Sequence, residues 1–163
     1  MKKFYKMWQH GMVMSEDISW VYSLRTIAVV GASKDEKKPS HYVPKYLKEK
    51  GYIIIPVNPS ASEIFGETCY SVLEDIPNPA DIVLVFRPSE QVPEILSGIL
   101  HVNPHVLWMQ LGIKNEEIKK EAEAHGIYVV MDKCMMQEHK RIFGGWVLCG
   151  HRRGGSSNTY LKI

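Results

Sequence analysis

The sequence predicts an α/β fold: a Rossmann-like, doubly wound parallel sheet of about five strands in a three-layer αβα arrangement. Two features predict this class. Short, nearly continuous apolar runs recur along the chain, and such runs are typical of strands that are buried on both faces. Stretches with helical spacing separate the runs, and this alternation implies parallel strands joined by right-handed crossovers.

The predicted strands are five apolar segments of similar length. They are residues 26–31 (TIAVVG), 52–58 (YIIIPVN), 81–86 (DIVLVF), 105–110 (HVLWMQ) and 127–132 (IYVVMD). The first ends in a glycine, as expected where a buried strand turns sharply into a loop.

Three stretches between the strands carry helix signals. Residues 41–51 have apolar side chains at positions 43, 46 and 47 and end in a glycine. Residues 89–100 open with Ser89 and an acid, which is the pattern of an N-terminal cap. Residues 114–126 start from Asn115, carry acids early and end in a glycine, so that both helix ends are marked. We predict one more helix after Cys134.

The composition is that of an ordinary globular domain with tails, since 45% of the 163 residues are hydrophobic and 23% are charged. We expect an N-terminal extension at 1–15, the Rossmann-like domain at 16–144 and a loose basic tail at 145–163. A net charge of +2 is too small for a nucleic-acid or membrane footprint, and no apolar run approaches the roughly 20 residues that span a bilayer. We therefore expect neither nucleic acid nor a membrane as partner.

The three cysteines, Cys69, Cys134 and Cys149, are dispersed and form no C-x-x-C pair. They are too few for a disulfide framework, and no cysteine–histidine cluster has the spacing of a zinc site. We therefore expect a cytoplasmic protein without a structural metal.

The loop after the first strand is a candidate phosphate cradle. Ligands of doubly wound sheets bind at the carboxyl ends of the strands, and this loop reads GASKDEKKPS from Gly31 to Ser40. It combines small residues, hydroxyls, three lysines and a helix start, whose N–H groups attract anions. An ordinary basic loop is the alternative that the pattern leaves open.

Two common nucleotide-binding patterns are missing. Of the fingerprint G-x-G-x-x-G only Gly31 is present, and no acid to hold a ribose follows the second strand. No Walker G-x-x-x-x-G-K-[ST] occurs either. NAD and NTP hydrolysis are therefore disfavoured, whereas NADP stays open because Lys37 and Lys38 suit its 2′-phosphate.

Five motifs close the predicted strands in order, and together they resemble those of a known family. They are Val29-Val30-Gly31-Ala32-Ser33, Pro56-Val57-Asn58-Pro59, Val85-Phe86-Arg87-Pro88, Trp108-Met109-Gln110-Leu111-Gly112 and Met131-Asp132-Lys133-Cys134-Met135-Met136. The set looks like the small stand-alone CoA-binding domain family, related to the CoA-binding domains of succinyl-CoA synthetase alpha subunits and NDP-forming acyl-CoA synthetases. The resemblance covers residues 16–144 and implies coenzyme A as the ligand.

The resemblance also implies where the two phosphate-bearing parts of CoA lie. The pyrophosphate would contact the first loop and the next helix start, at Gly31, Ala32, Ser33, Pro39 and Ser40. The 3′-phosphate needs a cation, for which Lys34, Lys37 and Lys38 are the candidates. The adenosine end would border Val57, Asn58 and Pro59.

The remaining strand ends supply further candidate contacts. Arg87, between Phe86 and Pro88, would hold a phosphate through two hydrogen bonds, with an ion pair to Glu90 as the alternative. The resemblance places Gln110 and Gly112 near the pantetheine arm, with Gln110 bonding an amide. Cys134 would lie near the CoA thiol and form a mixed disulfide, with a small half-buried cysteine as the alternative.

The resemblance implies a module that binds CoA or acyl-CoA. The related synthetases work through a phosphorylated histidine and a separate nucleotide-binding domain, for which we expect no room in 163 residues. No base–nucleophile set is recognisable either, so we favour binding without catalysis. The alternatives are an NADP-linked oxidoreductase and the CoA-binding subunit of an NDP-forming acyl-CoA synthetase, and a protein partner or a homodimer stays open.

Overall fold

The structure, a computed structural model, describes residues 17–144. Its strands are β1 (Thr26–Val30), β2 (Ile53–Val57), β3 (Glu63–Ile64), β4 (Glu67–Thr68), β5 (Ile82–Val85), β6 (Val106–Met109) and β7 (Tyr128–Val130). Five of them form a parallel sheet in the order β2-β1-β5-β6-β7, and β3 and β4 form an antiparallel hairpin. The five predicted strands are thus confirmed, each to within two residues at either end.

Helices cover both faces of the parallel sheet. The α-helices are α1 (Pro39–Glu49), α2 (Leu96–Val102), α3 (Glu116–Ala124) and α4 (Met135–Phe143), and 3₁₀ helices span Ser19–Ser23, Leu73–Asp75 and Ser89–Ile95. Side chains of α1, α4 and the first 3₁₀ helix share one buried cluster, and those of α2 and α3 share the other. This is the three-layer, doubly wound arrangement that the sequence predicts.

The central strands are buried on both faces because their side chains alternate between the two clusters. In β1, Ile27 and Val29 belong to the cluster of α1, whereas Ala28 and Val30 belong to that of α2. Fully burying an aliphatic side chain of this kind stabilises a fold by about 1.5–3 kcal/mol. The unbroken apolar runs in the sequence are the direct consequence of this two-sided burial.

The segment predicted as one helix over residues 89–100 is two helices. A 3₁₀ helix over Ser89–Ile95 contains Pro93, and only after it does α2 begin. Pro93 has no N–H to donate, which disfavours regular α geometry across this point. The expected cap is also wrong: the Ser89 Oγ accepts a hydrogen bond from the Lys114 N–H at 3.0 Å, and no side chain caps the 3₁₀ helix.

The other predicted helices are present. α1 begins at Pro39, two residues before the predicted start, because proline is well tolerated in the first turn. Asn115 caps α3 as predicted, since its side chain accepts the Ile118 N–H at 3.0 Å. The β3–β4 hairpin was not predicted, because two-residue strands leave no period to detect.

The predicted extension at 1–15 and the predicted tail at 145–163 lie outside the described residues. Within residues 17–144, no helix is long and apolar enough to cross a membrane.

Candidate functional site

The strand order reverses between β1 and β5, and the carboxyl ends of these two strands form the floor of the site. Gly31 leaves β1 by donating its N–H to the Val57 carbonyl at 2.9 Å. Phe86 leaves β5 by donating its N–H to the Val30 carbonyl, also at 2.9 Å. Parallel α/β sheets bind ligands in the crevice that opens at such a point.

The first loop turns across this crevice and folds back onto the start of α1. Gly31 has a left-handed φ of +85°, which a residue with a Cβ atom adopts only with strain. The Ser33 N–H donates to the Ser40 carbonyl at 3.2 Å, and the Asp35 N–H donates to the Ser33 Oγ at 3.1 Å. The loop is therefore a closed, internally bonded turn.

Some N–H groups of this turn have no acceptor within residues 17–144. They belong to Ala32, Lys34 and Ser40. Ser40 is the second residue of α1, and Pro39 before it carries no N–H, so that the Ser40 amide is the first donor at the positive helix end. Unused donors at a helix start are suited to an anion such as phosphate.

Three exposed lysines, Lys34, Lys37 and Lys38, lie on the same turn. None of them takes part in a salt bridge with another residue of the described range. Glu36 between them pairs instead with Lys45, at 3.9 Å. The lysine charges therefore remain available to an anionic ligand, at the place where the sequence predicts a phosphate cradle.

Asn58, a predicted border of the adenosine site, uses its side chain inside the protein. Its Nδ2 donates to the Ala32 carbonyl at 2.7 Å, and its Oδ1 accepts the Ser60 N–H at 2.8 Å. The Nδ2 carries a second hydrogen, so Asn58 can still donate one hydrogen bond to a ligand while it keeps both of these bonds. It holds the end of β2 against the first loop.

A cleft of about 210 Å³ opens beside the ends of β1 and β2. Its lining is mostly apolar, with Val30, Val57 and Leu73 among its residues. The charged residues that line it are Arg87, Glu74 and Glu94. The Arg87 guanidinium makes a long hydrogen bond to the Gln91 Oε1, at 3.4 Å, and no salt bridge within the described residues involves it. The alternative pairing of Arg87 with Glu90 is therefore not formed.

The other half of the site lies at the ends of β6 and β7. Gln110 is only 4% exposed, and its Oε1 accepts the N–H of Met135, the first residue of α4, at 3.0 Å. The Trp108 Nε1–H donates to the Lys133 carbonyl at 2.7 Å. Both residues next to Cys134 are thus fixed by hydrogen bonds, and the half-buried Cys134 occupies a rigid position before α4.

A second turn in this half is held together by Asp132. Its carboxylate accepts the Gly112 N–H at 2.7 Å and pairs with the Lys114 Nζ at 2.9 Å. The hydrogen bond from Lys114, with that from Gly112, holds the pKa of Asp132 below its usual value. Asp132 itself has a left-handed φ of +55°, so the loops after β6 and β7 meet in a strained, charged junction.

The structure brings the predicted site residues to one edge of the sheet, in two groups. The first group surrounds the ends of β1, β2 and β5: Gly31, Ala32, Ser33, Lys34, Lys38, Pro39, Ser40, Val57, Asn58, Pro59, Phe86, Arg87 and Pro88. The second group, at β6 and β7, contains Gln110, Gly112 and Cys134. Strands lie about 4.8 Å apart, so β1 and β7, three intervals apart, are separated by about 14 Å. A ligand that contacts both the first loop and Cys134 must therefore be elongated.

Sequence reasoning missed His41. It is buried, its Nδ1 lies 2.6 Å from the Ser33 carbonyl oxygen, and its ring packs against Phe65 with 4.9 Å between the centroids. A single histidine two residues after a proline carries no spacing that marks it as part of a site. Within residues 17–144, no group of three or more histidine, cysteine, aspartate or glutamate side chains could hold a metal ion.

Comparison with known proteins identifies the family. The profile of the family described as CoA binding domain matches residues 25–140. The chain belongs to the CoA binding domain family. The resemblance inferred from the five strand-end motifs is thereby confirmed.

Three similar proteins illustrate the range of this family. An uncharacterised protein of Bacillus subtilis, YneT, is 42% identical over 115 residues, which are 71% of this chain and 85% of YneT. A solved structure from Thermus thermophilus is 44% identical with a TM-score of 0.74, covering 77% of this chain and 95% of that one. An ADP-forming acetate–CoA ligase II of Archaeoglobus fulgidus is 34% identical over 83 residues, 50% of this chain and 12% of the ligase. The chain thus spans nearly all of two small relatives and a small part of a large one.

Proposed function

We propose that this protein binds coenzyme A or an acyl-CoA along the carboxyl edge of its sheet, without catalysis of its own. The observation that carries the proposal is the match of residues 25–140 to the CoA binding domain family. We assign the function to residues 16–144 and, because the cysteines are dispersed, place the protein in the cytoplasm.

The group around β1, β2 and β5 supports a site for the phosphates and the adenosine. The unused N–H groups of Ala32, Lys34 and Ser40 would bond phosphate oxygens, and the unpaired lysines and Arg87 would supply the countercharge. The apolar cleft by Val57 and Pro59 has the character that an adenine ring requires.

The group around β6 and β7 supports a site for the pantetheine arm. Gly112 has no Cβ, which leaves room for close approach of the arm, and the Nε2 of Gln110 would bond one of its amides. Cys134, fixed between two anchored neighbours, would then lie near the CoA sulfur. With oxidised CoA, the Cys134 thiolate would attack the CoA disulfide, forming a mixed disulfide and releasing one CoA thiolate.

Calorimetry with CoA, NADPH and ATP in parallel tests the proposal. We expect heat of binding with CoA, a dissociation constant on the order of micromolar or tighter, and no comparable heat with the other two ligands. Heat with NADPH and none with CoA would favour the NADP-linked oxidoreductase instead. The same protein incubated with ATP, acetate and CoA should release no ADP, and ADP release would contradict the absence of catalysis.

A second candidate function, the CoA-binding subunit of an acyl-CoA synthetase, is favoured by the similarity to ligases. Besides the Archaeoglobus fulgidus enzyme, an acetate–CoA ligase II subunit alpha of Pyrococcus furiosus is 29% identical over 131 residues, covering 28% of that subunit. Under this alternative the protein needs a partner that supplies the nucleotide chemistry. ADP release in the acetate assay only after addition of such a subunit would establish it.

A further inference from the structure

We propose that His41 is a positioning residue that aims the Lys34 N–H at a phosphate of the bound ligand. This inference rests on the proposed function, since it concerns the phosphate cradle of the same site. His41 is a buried histidine that contacts the first loop, and CoA binding by itself does not require one there.

The hydrogen bond of His41 fixes the direction of one peptide carbonyl, that of Ser33. The Ser33 carbonyl oxygen can only accept, so that the His41 Nδ1 must carry the proton that bridges the 2.6 Å between them. Ser33 contributes the carbonyl of the Ser33–Lys34 peptide, and Lys34 contributes its N–H. In a planar trans peptide these two groups point in opposite directions.

The direction of the Lys34 N–H therefore follows from the bond to His41. That N–H has no acceptor within residues 17–144, and it points away from the buried imidazole. The preceding peptide is held too, because the Ala32 carbonyl accepts from Asn58 and the Ser33 N–H donates to the Ser40 carbonyl. Two successive peptide units are thus fixed, and only the second presents an unused donor.

The packing around His41 restrains the imidazole in this orientation. Its ring lies against Phe65, which precedes the strand β4, and the Phe65 carbonyl accepts a hydrogen bond from the Lys48 Nζ at 2.7 Å. His41 and Lys48 both belong to α1. Helix and hairpin therefore hold the ring between them, and a pre-oriented donor binds an anion without the cost of ordering the loop.

A matched pair of variants separates this role from simple packing. His41→Leu replaces the imidazole with an apolar side chain of similar reach, and so fills the space without the donor. His41→Asn restores a donor, because the Asn Nδ2 and the His Nδ1 are both attached to Cγ. We expect His41→Leu to bind CoA on the order of tenfold more weakly than wild type, and His41→Asn to recover most of that loss. Thermal unfolding of both variants reports whether the fold is retained.

The Lys34 amide signal in a ¹H–¹⁵N NMR spectrum gives a readout that a purely structural role would not move. Saturating CoA should shift this signal strongly in wild type and in His41→Asn, and much less in His41→Leu. An unmoved Lys34 amide in the wild-type titration overturns the role of His41 even if a variant fails to fold.

The outcomes distinguish this inference from the proposed function. A wild-type protein that does not bind CoA overturns both. CoA binding with an unmoved Lys34 amide, or equal affinity of wild type and His41→Leu, overturns the role of His41 alone.

Discussion

Arg87 leaves β5 beside the apolar cleft, and its guanidinium has only a long contact to Gln91 at 3.4 Å. A charged hydrogen bond to a phosphate is worth about 1.5–3 kcal/mol, so we expect Arg87→Gln to bind CoA at least tenfold more weakly. The affinity of Arg87→Lys for CoA should lie between those of wild type and Arg87→Gln. The lysine ammonium keeps the positive charge, but it cannot make the two parallel hydrogen bonds of a guanidinium. Calorimetric titration of the three proteins measures this order.

Arg25 provides the matched control for Arg87. It precedes β1 and thus lies at the opposite, amino edge of the sheet. Arg25→Gln removes the same charge and should leave the affinity for CoA unchanged. An equal loss in both variants would mean that net charge, and not a contact of Arg87, determines the affinity.

Individual residues also mark the limit of what the sequence predicts. The positions of Asn58 and Gln110 at strand ends follow from the strand pattern, but the partners of their side chains do not. Asn58 bonds Ala32, 26 residues earlier, and Gln110 bonds Met135, 25 residues later. Such bonds depend on distances between remote segments, which no local pattern encodes.

His139 of α4 sits in an aromatic cluster that joins α4 to α1 and to the 3₁₀ helix at Ser19–Ser23. It contacts the rings of Tyr22, Tyr46 and Phe143, and its Nδ1 lies 2.9 Å from the Tyr46 hydroxyl. Burial, followed by the charge of Lys50, lowers the pKa of His139. The cluster thus favours the neutral form of the imidazole over the charged form.

This lowered pKa makes the helix contact sensitive to acid. The unfolded chain takes up a proton near the ordinary histidine pKa of about 6.5, whereas the folded protein resists it. The contribution of His139 to stability is therefore complete above about pH 6.5 and declines as the pH falls towards the folded-state pKa. We expect His139→Gln, which does not titrate and keeps a polar partner for Tyr46, to flatten this decline.

Urea unfolding at about pH 7.5 and about pH 5.5 tests this pH dependence of stability, because the ordinary histidine pKa lies between the two pH values. The wild-type midpoint should drop more between the two conditions than that of His139→Gln. His101→Gln, in the exposed part of α2, serves as the control and should behave like wild type. Identical pH responses of wild type and His139→Gln would argue against this role for the cluster.

Whole elements were predictable where burial is two-sided. β1, β5 and β6 have every residue but Thr26 buried, which leaves an unmistakable apolar run. The β3–β4 hairpin has mixed burial and leaves none. The 3₁₀ helix Ser89–Ile95 and the α-helix α2 that follows it were predicted only as one continuous helix. Pro93 changes the backbone geometry there without changing the spacing of the apolar residues.

At the scale of the molecule, the net charge of +2 conceals where the positive charge lies. The lysines of the first loop have no salt bridges within residues 17–144, whereas Lys45, Lys48 and Lys114 are paired. The cradle lysines therefore lie on a mildly acidic body, since residues 24–144 hold 14 lysines and arginines against 16 acids, a net charge of −2. This distribution suits one small polyanion, and it does not create the extended field that steers a nucleic acid.

Two double variants of equal charge test whether location or total charge matters. Lys37→Gln/Lys38→Gln removes two charges from the cradle, and Lys119→Gln/Lys120→Gln removes two from α3. We expect the cradle variant to bind CoA on the order of tenfold more weakly, because two charges near the phosphates are lost. Its affinity should also depend less on salt, because salt screens exposed charges beyond about 10 Å at 0.1 M and fewer such charges remain. The α3 variant should match wild type in affinity and salt dependence. If both variants lose affinity equally, the local charge of the cradle is not what holds the phosphates.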